Sequence, residues 1–262
     1  MCGIFGFAVK KPLSMDKVFS VLEKLEASQY PQEVRPVGGY GAGVAILLND
    51  GGLIFEKVGK VADSPAIHLA NLMKRKVTEA SVLISHVRMP SPEFMDTAEL
   101  RETAQPYVGQ FEAGLTVASV HNGKMENYLE LKERLGGHVF ESEKVGLIDS
   151  EVIPHYFVEL LNEIEELDEA VYSLFCALKG SNAVAVLHVD EENAFLHLIH
   201  KGKTRGLTVW TNEKDEMIFC SRREPLIEEF KKILSRGKFK EKISIGYRED
   251  VGFKLSFPLA LR

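Results

Sequence analysis

Met1-Cys2-Gly3-Ile4-Phe5-Gly6-Phe7-Ala8-Val9 opens the chain, and the reading of this stretch decides the reading of the rest. Its alternate positions are glycine or apolar, which predicts a buried strand over residues 2–9. One reading of Cys2 stops there, with a small hydrophobe at the start of a core strand. The other reading is chemical. Removal of Met1 would leave Cys2 with a thiol and a free α-amine on one Cα. Thiols have a reference pKa of about 8.5 and α-amines of about 7.7–8.0. Near neutral pH such an amine is partly unprotonated and can take the thiol proton, directly or through one water. A single residue then supplies both nucleophile and general base.

The chain has 262 residues, 45% of them hydrophobic and 27% charged, with a net charge of -6. That length suits one large domain or two small ones and can bury a substantial core. No Lys/Arg block or basic stripe marks a nucleic-acid surface. No apolar run approaches a membrane span, and no secretory signal is evident at the start. Cys2, Cys176 and Cys220 are too widely spaced for a zinc motif or a disulfide framework. A cytoplasmic, reducing location is the expectation.

Outward from the first strand, Ser14 is placed to cap a helix reaching about Ala27, and strands follow near Gly43–Leu48 and Leu53–Val58 around an Asn49-Asp50-Gly51-Gly52 turn. Ser64-Pro65 opens a second helix. Ser81–Arg88 reads as a buried strand, 89–105 as an irregular segment, and Gly114–His121 as a strand ending in an Asn122-Gly123 turn before a helix from Met125 to Leu135. Asp149 and Ser150 are placed to cap a helix reaching about Ile164, and Ala170–Leu178 continues helical. Strands are predicted at Ala183–Val189, Ala194–His200, Leu207–Thr211, Met217–Cys220 and Ile243–Tyr247, with a helix at Pro225–Leu234. Grouped strands followed by helices suit two packed sheets flanked by helices better than alternating βαβ units.

An amide-cleaving Cys2 needs donors for the oxyanion, a cation for a substrate carboxylate and an anion for a substrate amine. Asn122-Gly123, Arg88 and Asp149 lie at predicted element ends and have the required chemistry. Each also has a plain structural explanation: a turn dipeptide, a surface charge, a helix cap. An Arg and an Asp at fixed separation would select a free α-amino acid over a peptide-internal glutamine, whose α-groups are uncharged.

Taken in order, the motifs resemble those of a class II glutamine amidotransferase domain of the N-terminal-nucleophile hydrolase superfamily. Met1-Cys2-Gly3-Ile4 is similar to its processed N-terminus, and Gly39-Tyr40-Gly41-Ala42-Gly43-Val44 resembles its Gly- and Ala-rich segment. Ser85-His86-Val87-Arg88 resembles its Gly-His-Thr-Arg motif, and Thr103-Ala104-Gln105-Pro106 the short segment behind it. His121-Asn122-Gly123-Lys124-Met125-Glu126-Asn127-Tyr128 and Asp149-Ser150-Glu151-Val152 resemble its oxyanion and Asp-(Ser/Thr)-Glu motifs. Leu178-Lys179-Gly180-Ser181 and Phe219-Cys220-Ser221 are similar to segments near the domain's end.

The resemblance implies an α+β fold: a four-layer αββα sandwich of two packed, largely antiparallel sheets, with residues 1–262 as a single domain. It implies that Cys2 attacks the side-chain amide of glutamine and forms a thioester, with Asn122 and Gly123 as the oxyanion hole. Arg88 and Asp149 would hold the α-carboxylate and α-ammonium, and His86 belongs to the substrate-binding motif. Where many relatives read Trp-Ala-Thr after the arginine, this chain has Met89-Pro90-Ser91, and Ser91 could replace the threonine hydroxyl. The resemblance implies no organic cofactor and no metal. It implies a separate ammonia-consuming synthase subunit as partner, because this chain carries no synthase domain of its own. The alternatives are a self-contained hydrolase of γ-glutamyl amides or peptides and an inactive glutamine-sensing or assembly module. His197 and His200, an i, i+3 pair on a predicted strand, point to opposite faces and make a poor metal pair. Cys176 and Cys220 sit in apolar runs and are expected in the core.

Overall fold

Side chains alternate between the two faces of a strand, and the first strand shows what each face meets. In the computed structural model, which describes residues 2–110 and 114–259, the elements in chain order are as follows. β1 (Gly3–Ser14) and α1 (Met15–Ala27) precede β2 (Ala42–Leu47), β3 (Leu53–Val58), α2 (Pro65–Met73) and β4 (Glu79–Val87). Then come β5 (Tyr107–Gln110), β6 (Thr116–Met125), α3 (Tyr128–Lys132), α4 (Val152–Glu163) and α5 (Leu167–Ala177). The remainder is β7 (Gly180–Val189), β8 (Ala194–Lys201), β9 (Leu207–Thr211), β10 (Met217–Cys220), α6 (Arg223–Arg236), β11 (Lys240–Ile245) and β12 (Phe253–Leu259).

Two sheets form, a seven-stranded one in the order β11-β9-β10-β1-β4-β2-β3 and a five-stranded one in the order β12-β8-β7-β6-β5. Their strand pairs are antiparallel. On β1, Ile4 and Ala8 face the other sheet and pack with Ile84, Val120, Ala185 and Leu198. Phe5 and Phe7 face outward, against Val18, Leu22 and Leu25 of α1, Leu69 of α2 and Phe230 of α6. The second sheet turns Val117, Val184 and Ile199 outward onto Phe157 of α4 and Leu174 of α5. This is the expected αββα sandwich. Gly6 leaves no room for a side chain between its neighbours in the sheet: a Cβ there would lie 2.4 Å from Leu83 O on β4 and 2.5 Å from the Phe219 ring on β10.

Several local expectations are corrected. Asn122-Gly123 is not a turn, because β6 continues through it to Met125, with Asn122 opposite Ala183 and Gly123 opposite Asn182. The cross-strand ladder overrides the turn preference of the dipeptide. The helix behind it shortens to Tyr128–Lys132. Asp149 begins a short 3-10 turn ahead of α4 instead of capping the α-helix directly. β5 and β12 were not expected. Cys220 is buried, but Cys176 is exposed on α5. The apolar stripe of α5 runs through Ala170, Val171 and Leu174, so Cys176 falls on the opposite side. No helix among the described residues is long and apolar enough to cross a membrane.

The second sheet and α4 bury histidines in their neutral form. Burial, reinforced by His188 and Lys254, lowers the pKa of His197 to about 3. Burial and His138 lower that of His155 to about 4. Both titrate near 6.5 when unfolded, so the unfolded chain binds more protons below that pH. Their stabilising contribution is complete above pH 6.5 and is lost progressively as the pH falls toward 4 and then 3. At pH 5 the loss is about 2 kcal/mol for each. The melting temperature is therefore expected to fall between pH 6.5 and 5, and His197→Gln should shrink that fall. An unchanged pH profile in the variant would refute the assignment.

Candidate active site

Strand parity builds the site. Cys2, Ile4, His86 and Arg88 share the inner-face parity of the first sheet, and Asn122 shares that of the second with Ala118 and Val120. Cys2 and Arg88 stand just beyond the paired ends of β1 and β4, where Gly3 lies opposite Val87. There the seam between the sheets opens into a cavity of about 430 Å³. Cys2 Sγ lies 3.4 Å from Met89 O and 3.3 Å from Met89 N, so the segment after β4 fixes the thiol.

Arg88 is 3% exposed. Its Nη1 donates to Ala98 O at 2.8 Å and to Thr103 Oγ1. Its backbone is tied to the Tyr40–Gly41 loop, through Arg88 N to Gly41 O (2.8 Å) and Tyr40 N to Arg88 O (3.0 Å). Burial lowers its pKa, and the neighbouring Cys2, Tyr107 and Asp149 oppose the shift. An arginine starts so far above neutrality that it stays a cation. Its planar fork then offers a buried positive charge to a carboxylate.

Asp149 is the matching anion. Its Oδ2 accepts from Met125 N at 2.9 Å, and its Oδ1 accepts from Ser150 N at 2.8 Å. These bonds tie the carboxylate to the end of β6. His121, next to Asn122, contacts Ser150 Oγ through Nδ1 at 2.8 Å. Burial lowers the His121 pKa, with Asp149 opposing, so the ring is neutral at neutral pH. The Gln105 amide grips both backbone groups of His121, accepting from its N at 2.5 Å and donating to its O at 3.2 Å.

Of the expected site residues, Cys2, Arg88, Ser91, Gly123 and Asp149 line the one cavity. Asn122 is fully buried beside it, and its Nδ2 donates to Ser221 Oγ at 3.3 Å. His86 is 0% exposed and sits one rung inside, opposite Ile4 and Gly43, off the cavity wall. Burial lowers its pKa well below the usual histidine value, with Arg88 adding to the effect. Gly123 has no room for a side chain: a Cβ would lie 2.0 Å from Ser181 O and 2.8 Å from His121 Nε2.

Ser221 was not singled out from the sequence as a site residue. Its Oγ accepts from Ile4 N at 2.9 Å and from Asn122, while its N donates to Ile4 O at 2.9 Å. It therefore joins the Cys2 strand of one sheet to the Asn122 strand of the other. Thr103 and Gln105 are further supports whose chemistry only the fold explains. Among the described residues no group of three or more His, Cys, Asp or Glu is placed to hold a metal ion.

A sandwich of this kind, with a cysteine, an arginine and an aspartate converging at its open end, is the arrangement of a class II glutamine amidotransferase domain. A sequence profile described as a glutamine amidotransferase domain matches residues 94–228, just over half of the chain, and the chain belongs to that family. It is 37% identical over 202 residues to the glutamine–fructose-6-phosphate aminotransferase (isomerizing) of Aquifex aeolicus, covering 75% of this chain and 29% of that one. The enzyme of the same name from Thermotoga maritima is 34% identical, over 72% of this chain and 27% of the relative. The chain thus spans less than a third of the length of these relatives. Among solved structures, the allosteric regulatory enzyme of purine biosynthesis superposes with a TM-score of 0.63 at 18% identity, covering 100% of this chain and 50% of that one. The glutamine phosphoribosylpyrophosphate amidotransferase of B. subtilis gives 0.59 at 19% identity, again over 100% and 50%. At such identities the likeness is one of fold.

Proposed function

We propose that this chain is a glutaminase domain that hydrolyses the side-chain amide of glutamine through Cys2. The observation that carries the reading is the convergence of Cys2, Arg88 and Asp149 on one cavity. Met1 lies outside the described residues; its removal would give Cys2 the free amine that serves as base. The thiolate attacks the amide carbon. The oxyanion takes a hydrogen bond from Gly123 N–H and one from Asn122 Nδ2, which carries a second hydrogen beyond the one given to Ser221. The amine's proton goes to the departing ammonia, and water then cleaves the thioester to glutamate. Arg88 holds the α-carboxylate, Asp149 the α-ammonium, and Ser91 a substrate polar group. The relatives embed the corresponding segment in chains more than three times as long. Ammonia made here would therefore pass to an ammonia-consuming synthase subunit, and docking of that subunit would raise the turnover.

The test is intact-mass analysis after incubation with a glutamine-like electrophile. The expected result is a protein lacking Met1 that gains one adduct, mapped to Cys2. A protein of that mass that neither labels nor releases ammonia from glutamine would overturn the reading. Arg88→Met should lower kcat/KM for glutamine about 100-fold, because a desolvated charge-assisted pair is lost. Arg88→Lys should recover part of it, and a methionine variant with wild-type KM would remove Arg88 from the clamp.

A further inference from the structure

The cavity is longer than glutamine needs, and its far side is cationic. Arg88 is held by Ala98 and Thr103 in the segment leading into β5, at one edge of the second sheet. Gly123 lies on β6, the next strand. The cavity continues past β6 to Ser181 on β7, to Lys203 after β8, and to Arg248 after β11. Lys203 N donates to Ser181 Oγ at 3.1 Å, and Arg248 N to Thr204 O at 2.9 Å, which fixes both loops there. Strands are about 4.8 Å apart, so the span from β5 to β8 is roughly 14 Å. Glutamine covers only roughly 5 Å from Cα to amide nitrogen. With the α-groups held by Arg88 and Asp149 and the amide carbon at Cys2, the part of the cavity left for a group on the scissile nitrogen includes Lys203 and Arg248.

Neither exposed side chain has a carboxylate within ion-pair distance among the described residues. Lys124 in the same cavity is neutralised by Glu93 at 2.7 Å; Glu126 and Asp149 also line it, and neither is in an ion pair among the described residues. The wall beyond Cys2 is left with a net positive charge. A buried cation follows Lys203 by two residues. Arg205 is 6% exposed, and its Nε has no hydrogen-bond partner. Burial lowers its pKa and the Glu33 carboxylate opposes the shift. It shares its one carboxylate neighbour, Glu33, with Arg222.

Resting on the glutaminase reading, we propose that Lys203 and Arg248 form a leaving-group subsite for γ-glutamyl amides whose amine component carries an anionic group, a carboxylate or a phosphate. The chemistry is unchanged: Cys2 sulfur bonds to the γ-carbon, the C–N bond breaks, and the amine leaves with the proton from the Cys2 amine. Water then cleaves the thioester to glutamate.

The experiment measures kcat/KM for glutamine, γ-glutamylmethylamide, γ-glutamylglycine and γ-glutamyl-aminomethylphosphonate. The neutral and anionic leaving groups differ only in charge and a few atoms. The wild-type chain is expected to prefer an anionic substrate over the methylamide by 10-fold or more. Lys203→Met with Arg248→Met should bring that ratio to near 1. The better of the glycine and phosphonate substrates tells a carboxylate from a phosphate. Turnover of glutamine with no anion preference, or a preference that survives both substitutions, overturns the subsite alone. Failure to turn over all four substrates overturns the glutaminase reading and the subsite with it.

Discussion

Cys2→Ala is expected to lower glutamine turnover about 10⁴-fold or more, since it removes the atom that bonds to substrate. The fold should persist. Cys2 is only half-buried, and its side-chain contacts are two weak sulfur bonds to Met89. Removing one sulfur from a cavity wall leaves no trapped void, so the melting temperature should move by no more than a few degrees. Cys2→Ser separates nucleophile from amine: it keeps the α-amine but offers a hydroxyl, whose high pKa makes it a poor nucleophile beside a thiol. Covalent adduct formation should disappear in both variants. An alanine variant retaining a tenth of wild-type turnover would exclude Cys2 as the nucleophile. A variant that loses activity by unfolding is recognised by its melting curve.

Glu33→Ala is expected to destabilise the chain by about 3–5 kcal/mol, against about 5–15 kcal/mol of total stability for an ordinary domain. Both Glu33 carboxylate oxygens accept from Arg222 Nη2, and Arg205 Nη1 approaches Oε1 at 3.5 Å. Tyr30 N donates to Oε2 at 2.9 Å. All three charged side chains are nearly inaccessible, and the Arg222 guanidinium stacks 3.6 Å over the Tyr30 ring. Without Glu33, two cations remain buried with no other carboxylate in ion-pair distance among the described residues. The double variant Glu33→Ala with Arg222→Met should regain part of the loss, because it removes the stranded charge. If thermal or denaturant unfolding gives Glu33→Ala a loss under about 1 kcal/mol, the value of an exposed pair, the cluster does not act as a buried ion pair.

Much of the fold was legible because local patterns agreed with it. Alternation in Ile4–Ala8, the Asn49–Gly52 turn and Ser64-Pro65 ahead of α2 each specify an element from nearby residues. Ser64 Oγ indeed accepts from Ile67 N at 3.2 Å. The errors came where a distant partner decides. Asn122-Gly123 has the composition of a turn, yet it lies extended because β7 pairs with it along its length. β12 reads as an unremarkable tail until β8 supplies a ladder from Ala194 to His200. The exposure of Cys176 depends on which side of α5 meets the sheet.

The same division holds for the site. By itself the sequence determined the residue types: a cysteine next to the start, an arginine after one strand, an Asn-Gly pair on another, an aspartate before a helix. It also determined their order, which is what makes the motifs recognisable. Only the tertiary structure decided which of them share a cavity. Strand parity put Arg88 and Cys2 at the open end of the seam and His86 one rung inside it. The antiparallel ladder left Asn122 facing Ser221, which lies ninety-nine residues away. Charge placement was likewise invisible in one dimension: Glu33, Arg205 and Arg222 are far apart in the chain, and only packing makes them one buried cluster. A sequence encodes what each side chain can do, while cross-strand pairing and layer stacking fix which side chains meet and how little water is left between them.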